Sequence, residues 1–352
     1  MDPEFGVPLK WEMPLLEGYA YRFLANRSFL SVAGRFWSLL NPGIVPILLK
    51  ERYDAVMIPG YAYASYLLGF LGGWLSGTPI FLRGEMVVRP ESPWRLKTWC
   101  KKALLRLLLK GTQACLAIGT PSRLFYERHR VPKNRIFFSP YSVDNELFSK
   151  ESRRWRSRRS EVKRSLGISP EIPVVLFCGK LVPRKCPGDL LAAFGRVRRP
   201  AHLLFVGEGL LRVPLQRQAL GRSNVTFSGF IDQKEIPQYY AAADLFVLPS
   251  KEEVAPLVVN EAMACGLPVV VSDAVPSVVD FVKSGENGFV FPLGDVQALA
   301  ACLNRLLEDT GLCLRMGELS QELIQEWSPE ASARGILQAL QDRCTGRLSR
   351  CG

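Results

Sequence analysis

LFVLPSKEEVAPLVVNEAMACGLPVVVS, residues 245–272, is the stretch that decides the fold. It opens on four apolar residues, 245–248, closed by Pro249-Ser250, and reads as a buried strand. A polar loop carrying Glu252 and Glu253 follows. A helix-like segment then runs through Ala264 and is stopped at Cys265-Gly266. Pro268 leads into a second apolar strand, 269–271. Strand, loop, helix and strand with wholly apolar strands is the pattern of a parallel sheet covered on both faces.

Two carboxylates mark this unit, Glu253 on the loop and Glu261 in the helix, with seven residues between them. Loops after the carboxyl ends of parallel strands are where open α/β sheets bind ligands. An ionised carboxylate there can accept paired hydrogen bonds from the hydroxyls of a sugar or ribose. A solvated loop Glu and a helix Glu in a surface ion pair would fit the same spacing.

Working outward, 352 residues can bury a large core and favour two domains. A hydrophobic content of 48% with 22% charged residues excludes a disordered chain. The net charge of +12 implies acidic partners: nucleotide phosphates, an anionic membrane surface or nucleic acid. Nine scattered cysteines, none in a CxxC pair, indicate neither a zinc site nor a disulfide framework, and a reducing cytoplasm is the expected compartment. No secretory leader pattern is present, and Met1 to Phe5 read equally as native sequence or a cloning remnant.

Towards the N-terminus, no charged residue occurs from 55 to 82, a length that can span a membrane. Pro59, Gly60, Gly72, Gly73, Gly77 and Pro79 punctuate it, so the expectation is a strand (55–58), a helix (62–75) and a strand (79–82). Arg83-Gly84-Glu85 follows directly; Arg83 and Glu85 are candidate acceptor contacts, and a salt-bridged loop fits as well. Residues 94–110 predict an amphipathic helix with Leu96, Trp99, Cys100, Ala103 and Leu107 on one face and Lys97, Lys101, Lys102, Arg106 and Lys110 flanking it. It reads as a domain helix with a basic solvent side, or as an interfacial helix on anionic lipid. Strands are expected at 114–118 and 136–138, with a helix at 122–128 between them. The basic segment SRRWRSRRSEVKR, 152–164, reads as a linker helix, and with no nucleic-acid module beside it no nucleic-acid partner is expected.

Towards the C-terminus, a strand at 174–178 runs into Gly179-Lys180-Leu181-Val182-Pro183-Arg184-Lys185. Glycine at a strand end admits close backbone approach and the cations supply charge, which suits a diphosphate. A strand with a glycine turn follows at 201–209, then VTFSGF at 225–230, a turn at Asn287-Gly288 and terminal helices from Trp327.

The pattern Glu253-x7-Glu261-Ala-Met-Ala-Cys-Gly266-Leu-Pro268-Val-Val resembles the signature of the family-4 retaining glycosyltransferases. Pro140-Tyr-Ser-Val-Asp144 is similar to the loop that closes the first domain there, and Gly207-Glu208-Gly209 to the turn beside the donor. The resemblance implies the α/β architecture called GT-B, two Rossmann-like parallel-sheet domains facing a cleft. Residues 1–148 would form the acceptor-side domain, 149–172 the basic linker and 173–326 the nucleotide-sugar domain, with 327–352 crossing back to the first.

The same resemblance implies roles. Glu253 would orient the transferred sugar and Glu261 hold the ribose. Lys180 and Lys185, with Arg184 as a weaker neighbour, would hold the diphosphate and stabilise its departing charge, so that Lys180, Lys185 and Glu253 are the catalytic candidates. Gly179 and Gly207 would line the donor, Phe230 would meet the nucleobase, and Pro256, Leu257 and Val258 occupy the loop whose backbone N–H groups hold sugar and diphosphate. The co-substrate would be a UDP- or GDP-sugar, with no other cofactor. No metal is expected, because no Asp-x-Asp pair is suitably placed and the lysines could replace a cation. The implied activity is transfer of a hexose, with retention, to a hydroxyl of a glycan or lipid-linked acceptor in cell-surface polysaccharide or glycolipid synthesis, in the cytoplasm or on the inner face of the membrane. Three departures stand out: Pro256 and Pro276 replace glycines, Arg-Gly-Glu replaces a His-containing loop, and the usual first strand and Gly-rich loop are not seen. They keep two alternatives open, a sugar-nucleotide epimerase of the same fold and a catalytically impaired protein that binds a membrane surface.

Overall fold

The structure, a computed structural model, describes residues 16–30, 34–88 and 95–348. Among these the chain divides into two units: an N-terminal one of residues 16–140 closed by 330–348, and a C-terminal one, Tyr141–Pro329. Met1 to Phe5, Trp94 and Cys351, and the side chains of Leu96 and Lys97, lie outside the described residues.

The N-terminal unit runs α1 (Ile44–Lys50), β1 (Val56–Ile58), α2 (Ala64–Ser76), β2 (Ile80–Arg83), α3 (Arg95–Lys110), β3 (Ala114–Ala117), α4 (Thr120–Arg128) and β4 (Ile136–Phe138). Its described strands form a parallel sheet in the order β1-β2-β3-β4. Ile80, Phe81, Leu82, Ala114, Cys115 and Leu116 are buried, as strands covered on both faces require. The uncharged run is therefore a βαβ unit, and no helix among the described residues is long and apolar enough to cross a membrane.

Helix α3 departs from the expected face. Leu105, Leu108 and Leu109 are buried, whereas Trp99, Cys100, Ala103 and Leu107 are exposed. Both stripes have helical spacing, and the core takes the one with the three aliphatic side chains at i, i+3 and i+4.

The C-terminal unit continues with α5 (Asn145–Arg156), α6 (Arg159–Ser165), β5 (Val174–Cys178), α7 (Pro187–Phe194), β6 (His202–Val206), α8 (Arg212–Gln218), β7 (Val225–Gly229), α9 (Ile236–Ala242), β8 (Leu245–Leu248), α10 (Leu257–Ala264), β9 (Val269–Ser272), α11 (Val278–Phe281), β10 (Gly288–Phe291), α12 (Val296–Glu308) and α13 (Thr310–Ile324). All pairings are parallel, in the order β10-β9-β8-β5-β6-β7. Counted within the unit this is 6-5-4-1-2-3, the doubly wound order whose direction reverses between β5 and β8. Alternate residues feed opposite cores: Leu176, Leu204, Phe246 and Val269 pack on one face, Val175, Phe177, Phe205 and Val247 on the other.

The basic stretch expected as a linker is instead two helices of this unit. Arg156 of α5 donates to the carbonyls of Cys265 (2.9 Å) and Gly266 (3.2 Å), satisfying the C-terminal end of α10. Arg159 lies 2.6 Å from the Asp244 carboxylate, and buried Lys163 donates to the Ile172 carbonyl at 2.8 Å. The partners of Arg156 and Arg159 are distant in sequence, which is why the segment reads as a solvated charge run.

The last helix, α14 (Pro329–Leu348), packs Ala339 and Cys344 against Phe81, Ala114, Leu116 and Phe137 in the N-terminal unit. Gly335 permits the approach: a Cβ there would stand 1.7 Å from the Phe138 carbonyl oxygen.

Candidate active site

The switch point between β5 and β8 brings two loops together at the carboxyl edge of the sheet. After β5, Pro183–Lys185 makes one 3-10 turn, and Cys186 follows at φ 49°. After β8, the Lys251 N–H donates to the Arg184 carbonyl at 2.9 Å, which ties the second loop to the first. That link sets Glu253 against the cations. Lys185, only 7% exposed, donates through Nζ to Glu253 Oε2, and Arg184 Nη1 lies 3.5 Å from the same oxygen. Two cations thus converge on one carboxylate with little solvent to screen them.

The turns after β5 and β6 zip to each other beside this pair. Gly179 N–H donates to the Val206 carbonyl (2.9 Å) and Leu181 N–H to the Glu208 carbonyl (2.8 Å). A Cβ on Gly207, at φ 133°, would sit 2.1 Å from the Gly179 oxygen, so only glycine fits. Lys180 is half-buried at this turn, Glu208 is ion-paired with Arg212, and Phe230 stands exposed after β7.

Pro256 is the N-cap of α10, where its carbonyl accepts from the Val259 N–H at 2.9 Å. The next N–H, of Leu257, goes to the Ala255 carbonyl at 3.0 Å. Leu257 is exposed and Val258 packs against the core, so this loop starts a helix despite the proline. Further along α10, Glu261 is 8% exposed, and Oε2 accepts from the Tyr240 hydroxyl at 2.7 Å. Burial pushes its pKa up to about 7, and the hydrogen bond from Tyr240 opposes that rise. The neighbouring Cys178 thiol is pushed up to about 12 by burial.

The structure therefore gathers Lys185, Arg184 and Glu253 into one contact and holds Glu261 separately on Tyr240. The acceptor candidates lie in the N-terminal unit. Arg83 Nη2 donates to the Pro140 carbonyl (2.8 Å) and to Ser332 Oγ (2.9 Å), holding β2 to the exit of β4 and to α14; Glu85 is exposed. Tyr240 escapes sequence reasoning because it lies on α9, in a different element from the carboxylate it touches, and its only local signal is the pair Tyr239-Tyr240. Among the described residues no group of three or more His, Cys, Asp and Glu side chains is placed to hold a metal.

A doubly wound unit with a cationic loop at its switch point, joined to a second parallel-sheet unit, defines an α/β protein of the GT-B class. Residues 158–323 match the family described as glycosyl transferases group 1. The lipopolysaccharide core biosynthesis glycosyltransferase LpsE of Rhizobium meliloti is 32% identical over 275 residues, covering 74% of this chain and 80% of LpsE. The chain belongs to the group 1 glycosyltransferases. The sulfoquinovosyl transferase SQD2 of Arabidopsis thaliana is 32% identical over 196 residues, 55% of this chain and 37% of SQD2. A GDP-mannose-dependent phosphatidylinositol monomannoside mannosyltransferase of Corynebacterium glutamicum is 32% identical over 197 residues, 52% of this chain and 51% of that protein. The chain thus spans between a third and about half of the length of these two relatives. The crystal structure of Anabaena HepE in complex with UDP shares the fold, with TM-score 0.72 at 21% identity over 86% of this chain and 82% of HepE.

Proposed function

We propose that this protein transfers a hexose, with retention, from a nucleoside-diphosphate sugar to a hydroxyl of a glycan or lipid-linked acceptor. The observation that carries the reading is the meeting of Lys185, Arg184 and Glu253 at the switch point. A diphosphate entering there takes the lysine from Glu253. Lys180, Lys185 and Arg184 then stabilise the charge that builds on the leaving diphosphate, doing without a metal ion. Glu253, released, orients the sugar hydroxyls, and Glu261 accepts the ribose diol. Glu253 is no nucleophile here: the acceptor hydroxyl attacks on the face the diphosphate leaves, with the diphosphate assisting. Gly179 and Gly207 leave room for the phosphates, Phe230 meets the base, and the start of α10 at Pro256, Leu257 and Val258 borders the sugar. Glu85 is the acceptor-side candidate, since the Arg83 contacts hold its own unit together. Among relatives, the Corynebacterium glutamicum mannosyltransferase carries GDP-mannose dependence in its name and HepE was solved with UDP, which supports a nucleotide sugar and leaves the base open.

An anionic lipid surface is the further partner this reading includes. Trp99 is 68% and Leu107 55% exposed, Lys101, Lys102, Arg106 and Lys110 surround them, and α3 contains no acid. Such a helix can bury its apolar stripe at a headgroup boundary and pair its cations with lipid phosphates. This would hold the protein at the inner face of the membrane.

The test is calorimetric titration with UDP, GDP and ADP, and then with their sugars, repeated for Glu261→Ala and Lys185→Ala. Saturable binding of one nucleotide, lost in both variants, is expected; no binding at millimolar ligand refutes the reading. Sugar conversion without an acceptor would instead indicate epimerisation. Trp99→Ser with Leu107→Ser should abolish co-sedimentation with anionic vesicles and leave nucleotide binding intact.

A further inference from the structure

Among the described residues no Lys or Arg is ion-paired with Glu261. Among the described residues, its carboxylate has one hydrogen-bond partner, the Tyr240 hydroxyl, 2.7 Å from Oε2. Tyr240 lies on α9 with no solvent exposure, its ring between Phe148 of α5 (centroids 6.3 Å apart) and Phe246 of β8 (6.0 Å). Those two rings fix the phenol in place. Its oxygen also lies 3.3 Å from the Val258 carbonyl, on the turn of α10 that precedes Glu261. The remaining titratable neighbours are Cys178 at the end of β5 and Cys265 after α10, both thiols pushed up by burial. Arg156 of α5 spends its guanidinium on the Cys265 and Gly266 carbonyls.

We propose that Tyr240 is a positioning residue for the nucleotide: its hydroxyl holds Glu261 Oε2 and fixes the carboxyl rotamer, leaving the other oxygen to take the ribose hydroxyls. The inference rests on the reading of Glu261 as the ribose acceptor. Burial drives the carboxyl towards its neutral form, which cannot accept two strong bonds, and the phenol is the group that opposes this. The phenol itself is pushed well above its ordinary range, so it stays protonated and donates throughout the working pH range.

The experiment is titration of UDP and GDP into wild type and Tyr240→Phe from pH 5.5 to 9. Wild-type binding should strengthen as pH rises through about 7. Tyr240→Phe should bind about tenfold more weakly at pH 7, the value of one hydrogen bond to a charged group, and recover towards wild type near pH 9. A loss equal at every pH means that the hydroxyl does not act on the ionisation of Glu261 and overturns the proposal, as does unchanged binding. Should Tyr240→Phe fail to fold, Glu261→Gln keeps an acceptor for the phenol but cannot ionise; its binding must then lose the pH dependence, and persistence of that dependence overturns the proposal. Wild type that binds neither nucleotide would instead overturn the reading of the site as a whole.

Discussion

The raised pKa of Glu261 makes a statement about stability that needs no substrate. Its folded value is about 7 against about 4.5 for a free side chain. Between those values the native protein keeps a proton that the unfolded chain has released. Stability therefore falls as pH rises, starting near 4.5 and levelling off above 7. The gap is roughly two and a half pKa units, and each unit corresponds to about 1.4 kcal/mol, so the full loss is about 3 kcal/mol. His202 acts in the opposite direction over part of this range, because burial lowers its pKa and the unfolded chain then binds the extra proton below its ordinary value. Wild type alone would mix the two slopes. The informative quantity is the difference between wild type and Glu261→Gln in urea unfolding free energy, measured from pH 4.5 to 8. The variant should gain on wild type by about 3 kcal/mol across that range. A difference that stays flat refutes the argument that a buried carboxyl beside a lone phenol carries the titration. Nucleotide binding near pH 6 should release a proton, seen as a buffer-dependent heat, since ribose hydroxyls favour the ionised form.

Glu253→Gln should tighten binding of free UDP or GDP by roughly five- to tenfold while depressing transfer, because the diphosphate no longer competes with a carboxylate for Lys185; weaker nucleotide binding would contradict the exchange. Asn260 buries an amide with no hydrogen-bond partner among the described residues, so Asn260→Leu should raise the unfolding free energy by about 1–2 kcal/mol, and a lower urea midpoint would count against it. Arg156→Ala should cost about 1–3 kcal/mol by stripping the end of α10, whereas exposed Arg153→Ala should cost little; equal effects would show that the charge of the segment matters and its contacts do not.

Much of this was legible because it is local. The runs 245–248 and 269–271 are too short and too apolar for anything but buried strands, and Gly266, at φ 73°, ends α10 where a left-handed residue is needed. In the uncharged run Pro59, Gly60, Gly77 and Pro79 fall between elements and mark its βαβ boundaries, whereas Gly72 and Gly73 lie inside α2 and punctuate nothing. What could not be read is whatever joins distant segments. Periodicity found an apolar stripe on α3 but could not say which of two stripes the core would take. Composition saw the cations of α5 and α6, yet their partners are carbonyls and a carboxylate some 80 to 110 residues away. Tyr240 meets Glu261 only because α9 and α10 flank β8, a fact of sheet order. The departure at Pro256 leaves the helix itself intact, since the residue is the N-cap of α10 and its carbonyl accepts from the Val259 N–H.

The carboxylates of the candidate site divide into two environments. Glu253 and Glu208 are each paired with cations, and both keep part of their side chains in solvent. Glu261 is more deeply buried and has only a neutral donor. On the proposed function these environments suit the two ends of the ligand. The diphosphate is itself charged, so it can exchange into an existing ion pair and replace one anion with another at Lys185, without uncovering a bare cation. The ribose is neutral and brings hydroxyl donors, which compete poorly for a carboxylate already held by lysine or arginine. They gain most from one whose alternative is a proton. On that same proposal the separation explains why Glu261 sits inside a helix while Glu253 rides on a loop: a ribose acceptor must be kept dry and fixed, and a sugar-orienting carboxylate must let go of Lys185 when the donor arrives.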